Sequence, residues 1–342
     1  VQKAIEAMST VTRQQPAWAY WLARSLQNGQ QRPAQRSRKA ETLLQQIAGH
    51  QGFYELLALE ELRGHIDAAQ PVRNPDAQEL ATARANPGLQ RALHARSLGL
   101  NSEATREWNY STNLHQRGGM NDRDLLASAA LACQQQWWDR CINTSERTRQ
   151  HLHMQQRFPL PYRESILAWS QRSGLAPDWV FGLIRQESRF APQARSGAGA
   201  SGLMQVMPGT ARLVARKLGL AAPASGSIDG NLLLGTSYLA QLHSEFGSAA
   251  MASAAYNAGP GRPRRWREGP EMEGAIWAEN IPFAETRDYV KQVLANSVNY
   301  ALLMHGGQAQ SLYTRLGVVR PTLAAQQPLS SDPNPEPAGD TQ

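Results

Sequence analysis

The chain has 342 residues, with 35 basic against 28 acidic side chains and a formal net charge of +7. That length holds two or three domains of ordinary size and a core that needs neither disulfide nor metal for stability. Hydrophobic residues at 41% exclude a disordered polymer, and no run approaches the roughly 20 apolar residues that span a bilayer, so no integral membrane segment is expected.

The positive charge is almost entirely arginine, since lysine occurs only at Lys3, Lys39, Lys217 and Lys291. An arginine excess points to an acidic partner: nucleic acid, an anionic membrane surface or an acidic polymer. The densest stretch, Arg32, Arg36, Arg38 and Lys39, has no aromatic residue interleaved. It therefore reads as a solvated face, and no nucleic-acid partner is expected. The first residue is Val1, and no charged-then-apolar leader follows it, so this end of the sequence does not reveal the compartment.

In chain order, Trp18, Trp21, Leu22 and Leu26 fall at helical spacing, and Leu43, Leu44 and Ile47 repeat the pattern. Phe53, Leu56, Leu57 and Leu59–Leu62 follow suit. Asn28–Gln35, with Gly29 and Pro33, breaks the first helix from the second. Short amphipathic helices joined by turns stack into a solenoid, so residues 1–76 read as a piece of a helical superhelix. Pro71 to Pro75 marks the first boundary. A helical linker domain is expected over 77–154, interrupted at Arg117-Gly118-Gly119 and at Trp137–Asp139. The prolines of Phe158-Pro159-Leu160-Pro161-Tyr162 announce a third domain over 155–320. From 321 to 342 the chain is Ser, Asp, Pro, Asn and Gly with nothing to bury, and reads as a disordered tail. The fold class is all-α, with room for one irregular hairpin at Ala198–Val206.

Cys133 and Cys141 lie eight residues apart. On one straight helix their sulfurs would stand on the order of 12 Å apart, too far for a disulfide. A turn at Trp137-Trp138-Asp139 would let them face each other, but two buried free thiols are expected. The histidines are scattered and no metal-ligand spacing appears, so no metal and no cofactor is expected.

Chemistry concentrates after residue 173. Pro177 and Asp178 start a helix in which Val180, Leu183 and Ile184 define an apolar face, and the next position on that face is Glu187. Burial disfavours a charged carboxylate, so Glu187 is expected to have a raised pKa, the condition for a general acid near neutral pH. The bland alternative is a glutamate at a frayed helix end, ion-paired to Arg185 or Arg189. Ser196–Gly202 is glycine-rich but lacks the Gly-Lys-Ser/Thr of a phosphate loop. It leads into Leu203–Thr210, where Gln205 and Met207 would share one side of an extended stretch. Ala249–Ala255 is a run of small residues ending in Tyr256-Asn257-Ala258-Gly259-Pro260-Gly261, a packed helix with a stop at Gly259-Pro260. Ile281–Val290 adds a second carboxylate, Glu285, ahead of a helix running to about Met304.

Five segments together carry a resemblance. Arg185-Gln186-Glu187-Ser188-Arg189-Phe190, residues 199–205, Met-Pro-Gly-Thr-Ala at 207–211, Ala-Tyr-Asn-Ala-Gly-Pro-Gly at 255–261 and Ile-Pro-Phe-Ala-Glu-Thr-Arg at 281–287 resemble the soluble lytic transglycosylases, in that family's order and spacing. The resemblance is strong over about 155–305 and looser upstream. It implies a lysozyme-like, mostly α catalytic domain joined to a helical superhelix, periplasmic location, and cleavage of the β-1,4 bond between N-acetylmuramic acid and N-acetylglucosamine in peptidoglycan with a 1,6-anhydro product. By motif, Glu187 matches the single catalytic acid/base. Ser196, Gln205, Met207, Tyr256 and Asn257 match groove positions, and Glu285 matches a glutamate near the site. Large members of the family have a longer helical array ahead of the part seen here. The peptidoglycan strand then becomes the expected acidic partner, and the periplasm makes a Cys133–Cys141 disulfide permissible. The rival readings are a muramidase that uses water and a non-catalytic peptidoglycan-binding scaffold.

Overall fold

Residues 1–27, 33–114, 119–221 and 226–321 are described by the computed structural model. The expected tail lies, but for Pro321, outside the described residues, as do Arg32, the Arg36 side chain, most of the Asn28–Gln35 breaker and Arg117-Gly118. Prolines and glycines punctuate the rest much as the sequence suggests. Three N-terminal helices, Pro16–Gln27, Pro33–Ile47 and Phe53–Arg63, lie where the apolar spacing puts them. The first two open on proline, whose missing N–H costs nothing in a first turn. The third stops at Gly64, in the left-handed conformation at φ 74°.

No regular structure spans Gly64–Asp76. A capping box then starts the helix Ala77–Ala85: Asp76 accepts from the Glu79 amide while the Glu79 side chain accepts from the Asp76 amide. Helices Pro87–Ser97, Asn101–Asn109, Asp122–Gln134 and Trp138–Ser145 follow. They build a core of their own around Leu89, Trp108, Leu131, Trp137 and Cys141. Trp108 is fully buried, and its indole N–H is satisfied by Thr144 Oγ1 at 2.9 Å.

This is where one expectation fails. Cys133 and Cys141 are joined in a disulfide, with Cα atoms 5.0 Å apart. The eight-residue spacing does not run along one helix. The first helix ends at Gln134, Gln136 turns the chain at φ 51°, and the next helix starts at Trp138. The Trp137 amide donates back to Ala132 O at 2.9 Å, closing the turn that brings the sulfurs together.

The second and larger hydrophobic core runs through the N-terminal helices and through residues 142–319 without a break. At its centre the helix Pro177–Glu187 packs along Ala284–Met304, which is buried for most of its length. Polar seams tie the N-terminal helices to this part. Arg24 forks onto Glu273 at 2.9 and 3.1 Å, and Lys291 donates to Glu279 at 3.0 Å and to Tyr54 at 3.1 Å. Two short strands that periodicity does not reveal, Met272–Glu273 and Val318–Val319, pair antiparallel. The Ala198–Val206 hairpin is reduced to isolated bridges, Arg195 with Ser201 and Ser201 with Val206.

Candidate active site

Glu187 is the last residue of its helix, placed there by a run of buried residues from Asp178 to Arg185. Helix carbonyls point outward at this end, which disfavours a negative charge. The close approach to Ala284–Met304 depends on Gly182: a Cβ there would stand 2.8 Å from Val293 O and 2.9 Å from Ser297 N. With that spacing Tyr289, from the partner helix, donates to Glu187 Oε1 at 2.6 Å.

Burial pushes the Glu187 carboxyl up to about 7; the Tyr289 hydrogen bond opposes the rise and the negative charge of Glu285 adds to it. The phenols of Tyr289 and Tyr256 are held well above their ordinary range, first by burial and then by the nearby Glu187 charge, so both keep their protons. Arg185 and Arg189 do not pair with Glu187. Both pair with Glu146, at 2.7 and 3.2 Å.

Glu187 opens onto a cleft of about 970 Å³ between the two cores. One wall comes from Asn101, Thr105, Arg106 and Arg140, the other from Arg189, Arg195 and Gln205. Of the expected groove residues, Gln205 thus shares the cleft with Glu187. Its φ is 44°, and its amide Nε2 donates to Ala194 O at 3.0 Å and Gly202 O at 2.8 Å. The stretch is therefore not the extended strand that would set Gln205 and Met207 on one side. Met207 instead occupies the N-cap position of the helix Pro208–Lys217 and is 42% exposed. Ser196 is exposed and closes the glycine-rich turn by accepting from the Ala200 amide at 3.0 Å. Tyr256 donates to Met204 O at 2.8 Å, and Asn257 Oδ1 accepts from Thr286 at 2.6 Å. Glu285 is exposed in the first turn of its helix.

Three residues with a part in this arrangement escape sequence reasoning. Tyr289 lies four positions after Glu285, one helical turn along, which is the signal that could have marked it. Asn231, buried inside its helix, accepts from the Met204 amide at 2.8 Å and donates to Ser201 O at 2.9 Å. Ser188 donates to Leu203 O at 2.7 Å. Ser188 thus pins the glycine-rich loop to the end of the Glu187 helix and Asn231 pins it to the helix Ile228–Phe246, roles that no spacing announces.

The transglycosylase SLT domain matches residues 164–276, the soluble lytic transglycosylase helical domain 280–309, and the soluble lytic murein transglycosylase L domain 82–153. The soluble lytic murein transglycosylase of Escherichia coli K12 is 32% identical over 305 residues, which cover 85% of this chain. The chain belongs to the soluble lytic murein transglycosylase family. A soluble lytic transglycosylase of Pseudomonas aeruginosa, solved as an inactive Glu-to-Gln mutant, superposes with a TM-score of 0.76 at 34% identity over 90% of this chain. The 70 kDa soluble lytic transglycosylase of E. coli gives 0.72 at 28% identity over 91% of it. These relatives share the all-α architecture of superhelix and lysozyme-like domain. The chain spans about half the length of the family members it matches: 44% of the E. coli sequence and 50% of the Pseudomonas structure.

Proposed function

We propose that this protein is a lytic transglycosylase that cleaves the β-1,4 bond between N-acetylmuramic acid and N-acetylglucosamine in peptidoglycan, with Glu187 as its single general acid and base. The observation that carries the reading is the Glu187 carboxyl itself: partly buried, lining an open cleft, raised to about 7 and held by a phenol. Such a carboxyl keeps its proton at the pH where an ordinary glutamate has lost it.

In this mechanism Glu187 donates its proton to the glycosidic oxygen while the substrate's own N-acetyl carbonyl supports C1. The ionised Glu187 then takes the proton of the muramyl 6-hydroxyl as that oxygen attacks C1, which gives the 1,6-anhydro product and restores the acid. Intramolecular attack replaces the second carboxylate of an ordinary glycosidase. Tyr289 steadies the carboxylate formed between the two steps. Gln205 spends its amide N–H groups on the loop backbone, leaving its carbonyl oxygen to accept from an acetamido N–H. Ser196, Met207, Tyr256, Asn257 and Glu285 complete the groove in this reading, chiefly by shaping the loop and the helix start beside Glu187.

The periplasm is the proposed compartment. The Cys133–Cys141 disulfide agrees with an oxidising environment, and among the described residues no helix is long and apolar enough to cross a membrane. Mass spectrometry of fragments released from purified sacculi tests the chemistry. Anhydro ends, lighter by one water than reducing ends, are expected from the wild type and absent with Glu187→Gln. Reducing ends alone would identify a water-using muramidase; undiminished lysis by Glu187→Gln would remove Glu187 from its role.

A further inference from the structure

The two arginines that flank Glu187 in sequence both turn to one carboxylate, some 40 residues earlier in the chain. Glu146 follows the helix Trp138–Ser145 as its C-terminal cap. Its Oε1 accepts from Arg185 Nη2 at 2.7 Å, and its Oε2 pairs with Arg189 Nη2 at 3.2 Å. Arg185 is fixed in place. It is buried, donates through Nε to Arg157 O at 2.8 Å and through Nη1 to Asn296 Oδ1 at 3.0 Å, and lies 4.5 Å from the Phe158 ring centre. Arg189 is less constrained. Its side chain is 41% exposed and lines the same cleft as Glu187, two residues away.

We propose that Glu146 is a positioning residue for Glu187: it holds Arg189 aside and balances Arg185, so that no uncompensated cation stands beside the acid/base carboxyl. This rests on the reading of Glu187 as general acid. The charges around Glu146 are Arg185, Arg189 and Arg157, the last from the short helix Met154–Arg157, and Arg189 also feels Arg140 and Asp139 from the helix Trp138–Ser145. Facing Glu187 are Tyr289 and Glu285 from Ala284–Met304, and Tyr256 from Ala249–Ala258. Burial pushes the Glu146 carboxyl up, but the Arg185 and Arg189 charges more than offset this and keep it ionised. Without that negative charge, Arg189 in the cleft wall and the buried Arg185 both lose their counterion, with Asp139 already paired to Arg140 at 3.2 Å. A nearby cation favours the ionised form of a carboxyl, so Glu187 would release its proton at lower pH.

The test is the pH dependence of anhydro-product release from purified sacculi. Glu187 acts first as an acid, so activity descends as pH rises through its pKa. Glu146→Gln is expected to move this descending limb down by about one pH unit, costing about tenfold in rate at pH 8 and little at pH 5. Arg189→Gln should move the limb the other way, and the double variant should return it close to wild type. Glu146→Asp should keep the wild-type limb. A limb that stays put in Arg189→Gln, or single variants that shift it in the same direction, would overturn the proposal. So would an equal loss at every pH in a folded Glu146→Gln protein. If Glu146→Gln does not fold, Arg189→Gln still decides. Activity that survives in Glu187→Gln would instead defeat the underlying assignment of the acid.

Discussion

The Tyr289 phenol donates to Glu187 Oε1 at 2.6 Å, joining two helices whose axes are brought together at Gly182. This hydrogen bond opposes the rise that burial imposes on the carboxyl. In Tyr289→Phe the acid should therefore hold its proton to higher pH, and the descending limb of activity should move upward. The carboxylate formed during turnover loses a charged-group hydrogen bond, so the maximal rate should fall by about tenfold or more. A pH–rate profile checks both effects; an unmoved limb would deny Tyr289 its part.

Glu187 should also make the folded protein pH-sensitive. Its carboxyl rises from an ordinary 4.5 to about 7 on folding, so between those values the folded chain binds a proton that the unfolded chain has released. Stability from this group is intact below about pH 4.5 and is lost as pH rises through 7, by up to roughly 3 kcal/mol. Glu187→Gln has no charge to desolvate and still accepts from Tyr289. It should melt above wild type at pH 8 and together with it at pH 4. Calorimetry at the two pH values distinguishes this from a uniform effect of the substitution.

Gly182 offers a packing test remote from the chemistry. A methyl group there meets backbone, at 2.8 Å from Val293 O and 2.9 Å from Ser297 N, and backbone cannot rotate aside. Gly182→Ala should force the helices apart, lowering stability by about 1–3 kcal/mol, and should carry Glu187 away from Tyr289. Urea unfolding reads the first effect. The pH limb, displaced as in Tyr289→Phe, reads the second.

The Cys133–Cys141 disulfide closes a short loop next to the smaller core. The chain-entropy contribution of such a loop is about 2–3 kcal/mol. Reduction should therefore lower the melting temperature of the linker helices, while the Glu187 pH limb stays in place because the disulfide touches none of its partners. Hydrogen exchange over residues 83–141, with and without reductant, measures the first outcome.

Much of this protein is written locally. Pro33, Gly64, Pro177 and Gly259 place helix ends because each acts on its own backbone. The odd position of Glu187 on an apolar face announces a buried carboxyl before any contact is known, since helical periodicity alone sets that face. What the sequence leaves open is who meets whom across long separations. Arg185 and Arg189 are natural partners for Glu187 by proximity in the chain, yet Glu146 takes both. Tyr289, 102 residues further on, takes the carboxyl instead. The cysteines look too far apart on a straight helix, and one turn at Gln136 joins them. In each case spacing along the chain specifies a face or a distance within one element, while the choice of partner is made by the packing of elements against one another. The all-α class and the buried carboxyl at Glu187 were legible from the sequence; the environment that sets that carboxyl's proton affinity exists only once the helices are packed.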